Sequence, residues 1–89
     1  MRMMIVAAAA VLLVALNVRS GRTAEARELI GKLPELGVPS FAINELQGDV
    51  ELSARRYADA VNSYEKATRE RPTSLLAIKT FRALQAARA

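Results

Sequence analysis

The chain reads as an all-α protein, a short stack of antiparallel helical hairpins, and three observations predict this. The pentapeptide Arg22-Thr23-Ala24-Glu25-Ala26 returns as Arg56-Tyr57-Ala58-Asp59-Ala60, with Lys32 returning as Lys66 and Ser40 as Ser74, an offset of 34 residues throughout. A period of that size marks arrays of helix pairs. Apolar residues are half of the composition, much of it Ala, and the aromatics are limited to Phe41, Tyr57, Tyr64 and Phe81, which suits closely packed helices better than sheets. Alternating runs of β-branched residues are absent, and Pro34, Gly37, Pro39 and Pro72 cut the chain into helix-sized pieces.

The five helical stretches are predicted near residues 4–19, 23–33, 41–54, 57–70 and 74–87. The first is an apolar run without charge from Met3 to Val18. It falls where the first helix of a first hairpin belongs, just before Gly21 at its turn, and reads first as packed helix. An export signal is the alternative, with Arg2 before the run and Val18-Arg19-Ser20 at a cleavage position; the basic residues Arg19, Arg22, Arg27 and Lys32 after it argue against that. Sixteen helical residues reach roughly 24 Å, short of the roughly 30 Å hydrocarbon core. The second stretch places Ala26, Ile30 and Leu33 on one side. In the third, Ile43, Leu46, Val50 and Ala54 form the stripe, and Gly48 sits mid-helix, where glycine costs roughly 1 kcal/mol and so implies a close contact. The fourth has the clearest stripe, Tyr57, Ala60, Val61, Tyr64, Ala67 and Thr68, with Asp59, Asn62, Glu65, Lys66 and Arg69 turned outward. Ser40 and Thr73 are the predicted N-caps of the third and fifth.

Thirteen basic residues face nine acidic ones. The pairs Glu28 and Lys32, Glu51 and Arg55, and Glu65 and Arg69 are spaced i,i+4, which reads as solvated helix faces and not as a nucleic-acid stripe. The chain has neither His nor Cys, which removes disulfides, thiolate chemistry and the commonest general base. Glu45 and Asp49, also i,i+4, are the best carboxylate pair. With no His, further acid or Gly-rich phosphate loop beside them, no enzyme activity and no cofactor or metal is predicted.

Gly48, then Tyr57, Ala60-x-x-x-Tyr64, Ala67 and Pro72 resemble the tetratricopeptide repeat, with its glycine in the first helix, Ala-x-x-x-aromatic in the second and closing proline. Asn44, Gln47 and Glu51 stand where that pattern prefers Trp, Leu and Tyr. The resemblance divides a single domain into a first helix over 1–20, the second helix of a first repeat over 21–40, a complete repeat over 41–74 and a terminal helix over 75–89. Leu46-Gln47-Gly48-Asp49-Val50, Tyr64-Glu65-Lys66-Ala67 and Ala77-Ile78-Lys79 are similar in wording to the repeats of the PEP-CTERM system lipoprotein family of exopolysaccharide-producing Gram-negative bacteria. This chain is shorter than such a solenoid and has no cysteine to carry a lipid, so it reads as a fragment or small relative.

The resemblance implies a protein–protein interaction module or scaffold, placed in the cell envelope or periplasm, with the cytoplasm as alternative. A peptide or a neighbouring repeat would lie in the concave groove, with Glu45, Asp49, Leu52, Lys79 and Arg82 as candidate contacts. The acids at Glu45 and Asp49 disfavour the carboxylate tails that some such domains grip, and a mixed-charge peptide fits better. The alternatives are a membrane-tethered structural piece held through residues 3–18 and, behind it, a basic nucleic-acid-binding helical domain. Leu75, Leu76 and Phe81, together with the apolar run before Gly21, are expected to stay uncovered at the two ends and to favour self-association.

Overall fold

The structure, a computed structural model, describes residues 2–89, so that Met1 of the predicted 1–20 segment lies outside the described residues. Five α-helices follow one another: α1 (Arg2–Arg19), α2 (Thr23–Lys32), α3 (Ser40–Ser53), α4 (Tyr57–Glu70) and α5 (Ser74–Arg88), with a 3-10 turn at Pro34–Leu36. Among the described residues there is no strand. Helices α1 and α2 form one hairpin, α3 and α4 a second, and α5 packs on α4.

The 34-residue offset is present in the backbone as well as in the letters. Helices α2 and α4 start at Thr23 and Tyr57, and α3 and α5 at Ser40 and Ser74. Both hairpin turns are built alike. After α1 the amide of Arg22 donates to the Asn17 carbonyl at 2.8 Å and that of Gly21 to Val18 at 3.2 Å; after α3 Arg56 donates to Glu51 at 2.8 Å and Arg55 to Leu52 at 3.0 Å. Each is a Schellman closure, which satisfies the last carbonyls of the helix and requires a left-handed residue after the cap. Gly21 takes that place with φ 76°, and Arg55 with φ 62°.

Two apolar clusters fill the interior. Val14, Ala26, Ile30, Leu33, Leu46 and Val50 join α1, α2 and α3. Ala60, Val61, Tyr64, Ala67, Leu76 and Ala83 join α4 and α5, with Leu52 of α3 against them. Repeat-equivalent positions share their burial: Ala26 with Ala60, Ile30 with Tyr64, Leu33 with Ala67. Gly48 is buried where the Tyr64 ring crosses α3. Tyr57 is half-buried at the start of α4, and Pro72 is exposed beyond Arg71, whose extended backbone ends that helix.

Several local expectations are corrected. Thr73 caps α5, its hydroxyl accepting from the Leu76 amide at 3.1 Å, but Ser40 caps nothing. It is already the first residue of α3, after Pro39, and its hydroxyl donates to Glu70 at 2.5 Å, tying the start of α3 to the end of α4. Arg71 lies over the Phe41 ring beside it, 5.0 Å from the centroid. Leu76 is buried and not an exposed end residue, because α5 turns it onto α4. None of the three predicted i,i+4 pairs forms an ion pair within 4 Å among the described residues. Glu51 instead accepts from Ser63 at 2.5 Å, and Arg55 has left the helix in its left-handed turn.

Candidate functional site

Two carboxylates of α3 converge on one cation. Lys79 of α5 donates from Nζ to Glu45 Oε2 at 2.7 Å and to the Asp49 carboxylate at 3.2 Å. Glu45 and Asp49 stand one turn apart on the same face of α3, so a single ammonium reaches both. From the other side the Tyr64 hydroxyl of α4 donates to Asp49 Oδ1 at 2.6 Å. One carboxylate thereby links α3, α4 and α5.

Burial sets the charges of this cluster. The side chains of Lys79, Glu45 and Asp49 are only 23%, 24% and 26% exposed. Burial alone would lower the Lys79 pKa, but its bond to Glu45 and the charge of Asp49 outweigh that and hold it above the ordinary lysine value. Tyr64 is pushed well above the usual tyrosine range, first by burial and then by its bond to Asp49, so it stays a neutral donor.

Beside the cluster opens a cleft of about 420 Å³ between α1, α3 and α5. Asp49, Leu52 and Ser53 line it from α3, Lys79 from α5, and Ala15, Val18 and Arg19 from α1. The α1 and α3 residues are repeat equivalents: Ala15 matches Asp49, Val18 matches Leu52, and Arg19 matches Ser53, each 34 positions on. Successive first helices therefore present the same face to one hollow, as a stacked hairpin array does. Of the sequence-predicted contacts, Asp49, Leu52 and Lys79 line the cleft, and Glu45 lies behind it on Lys79. Arg82 is exposed on α5 and is not among the residues that line the cleft.

The cleft is lined by the apolar Ala15, Val18 and Leu52 together with Arg19 and the Lys79–Asp49 pair. Arg19 has no acidic partner within 4 Å among the described residues, whereas Lys79 is held by two carboxylates. Ala15, Val18 and Arg19 are not among the contacts that the sequence predicts, although the 34-residue offset, carried back from Asp49, Leu52 and Ser53 of α3, identifies all three. Among the described residues no group of three or more acidic, His or Cys side chains is placed to hold a metal ion. Compared with known protein families, with curated proteins and with solved structures, the chain matches none.

Proposed function

We propose that the chain is a non-enzymatic interaction module of tetratricopeptide type, and that it holds a peptide segment of a protein partner in the cleft between α1, α3 and α5. The observation that carries this reading is the arrangement of Ala15, Val18 and Arg19 with their repeat equivalents Asp49, Leu52 and Ser53 around one hollow. An apolar lining that carries one unpaired guanidinium and an internally balanced Lys–Asp pair suits a segment with an apolar anchor and an acidic group for Arg19. The wording of the repeats around Arg56-Tyr57-Ala58-Asp59-Ala60 supports a place in the cell envelope, alongside exopolysaccharide-associated solenoids of the PEP-CTERM system.

Selection of random peptides against the intact chain, followed by calorimetry, tests the reading. The selected peptides are expected to share an apolar anchor next to an acid. Arg19→Glu, at an exposed position, should weaken them about tenfold or more without loss of helicity. Peptides that bind Arg19→Glu and Leu52→Ala as well as the parent would overturn the assignment of the cleft.

A further inference from the structure

Helix α1 is covered on only one side. Val14 and Asn17 are buried against the rest of the protein, while Ile5, Leu12, Leu13 and Leu16 remain exposed, Ile5 at 71% and Leu12 at 61%. With Ala9, these residues fall at i, i+4, i+7, i+8 and i+11, so they form one stripe along a helix of about 27 Å. The apolar surface continues beyond Leu12 into a groove of about 520 Å³ that Val38, Pro39 and Ala42 close from the other side. No charged residue interrupts it. Arg2 lies at one end and Arg19 and Arg22 at the other, and the first acidic residue of the chain is Glu25.

We propose that this face of α1 rests on an anionic lipid surface, with the stripe at the headgroup–acyl boundary and Arg2, Arg19 and Arg22 on the headgroups. An apolar stripe bounded at both ends by cations and free of acids is complementary to a negatively charged bilayer, where each arginine near the surface strengthens binding roughly fivefold. The same charges oppose a second copy of the face. Antiparallel pairing of two α1 helices sets Arg2 of one against Arg19 of the other, and parallel pairing sets like against like. Among the described residues no helix is long and apolar enough to cross a membrane, so the contact is one of lying on the surface. The stripe residues Ile5, Leu12, Leu13 and Leu16 do not line the peptide cleft between α1, α3 and α5, and Arg19 is the one cation that the two readings share.

Vesicle flotation of the intact chain tests it, with phosphatidylcholine vesicles against vesicles containing phosphatidylglycerol. The expected result is flotation with the anionic vesicles at least about tenfold stronger than with the neutral ones, and release at high salt. Ile5→Glu with Leu12→Glu should abolish it with helicity intact, and Leu75→Glu with Phe81→Glu on the exposed side of α5 should not. Because the chain has no tryptophan, Leu13→Trp supplies a reporter that is expected to shift to the blue on anionic vesicles alone. That probe decides the matter even if the glutamate variant fails to fold. Flotation on neither vesicle, equal loss in both glutamate variants, or a vesicle-free dimer that Ile5→Glu with Leu12→Glu dissociates would overturn the proposal, the last in favour of a second copy.

Discussion

A side chain of even one carbon at Gly48 would sit 2.5 Å from Cε1 and 2.6 Å from Cδ1 of the Tyr64 ring. The ring is fully buried and its hydroxyl is bonded to Asp49, so it has no room to withdraw. Alanine normally stabilises a helix interior by roughly 1 kcal/mol over glycine, but overpacking costs about 1 to 3 kcal/mol. Gly48→Ala is therefore expected to destabilise by about 1 to 2 kcal/mol in urea melts, and Gly48→Ala with Tyr64→Leu to recover part of that relative to Tyr64→Leu alone. A neutral or stabilising Gly48→Ala would show that α3 and α4 do not cross there.

The two hairpin turns make opposite predictions from the same geometry. Arg55 occupies a left-handed position, φ 62°, that its repeat counterpart fills with glycine. Arg55→Gly should raise stability by about 0.5 to 1 kcal/mol, the released strain exceeding the added freedom of the unfolded chain. Gly21→Ala should lower it by about 1 kcal/mol, although a Cβ there meets nothing within 4 Å, because the cost lies in the backbone alone. Thermal melts of the two variants check both signs.

Lys79 separates two partly buried carboxylates. Lys79→Met would leave Glu45 and Asp49 facing each other without a counter-ion, and a loss of about 2 kcal/mol is expected. Adding Glu45→Gln should return part of that loss by removing one of the two charges. If both variants melt like the parent, the cluster contributes no stability.

High pH should unfold the protein in a way that depends on Tyr64. Both Tyr64 and Lys79 have folded-state pKa values raised above their unfolded values of 10.0 and 10.5. The folded chain thus holds protons that the unfolded chain releases, and stability present below about pH 10 falls as pH rises beyond it. Melting midpoints should hold from about pH 8 to about pH 10 and decline toward about pH 11, and Tyr64→Phe should flatten the decline while lowering the neutral-pH midpoint. A parent midpoint that stays level to pH 11 would contradict this.

Size should matter more than charge along α4. Ala60 is fully buried at the contact with its neighbours, and Glu65 is exposed. Ala60→Leu is expected to cost about 1 to 3 kcal/mol and Glu65→Ala less than about 0.5 kcal/mol. Equal effects in urea would mean that α4 is rotated from the packing described.

Much of the fold is legible without coordinates, because helix periodicity and helix breaks are local properties. Tyr57, Ala60, Tyr64 and Ala67 mark one face of α4 by spacing alone, Pro34 and Pro72 stop the helices before them, and Pro39 stands just ahead of the start of α3. The 34-residue register and the tight contact at Gly48 follow in the same way, the latter because a mid-helix glycine is a cost that some neighbour must offset. Local pattern was misleading where a tertiary partner outbid it: Ser40 donates to Glu70 instead of capping, and Glu51 turns to Ser63 instead of Arg55.

By itself the sequence determined the number of helices, their order and their repeat, since each depends on residues within a few turns of one another. Only the tertiary structure decided that Lys79 bridges Glu45 and Asp49, that Leu76 is buried, and that Ala15, Val18 and Arg19 share a cleft with Asp49, Leu52 and Lys79. Those relationships join residues on different helices, and they depend on how each helix is rotated and crossed against its neighbours. That rotation is set by how side chains such as Tyr64 fill the space between helices, which spacing along one strip of chain does not encode.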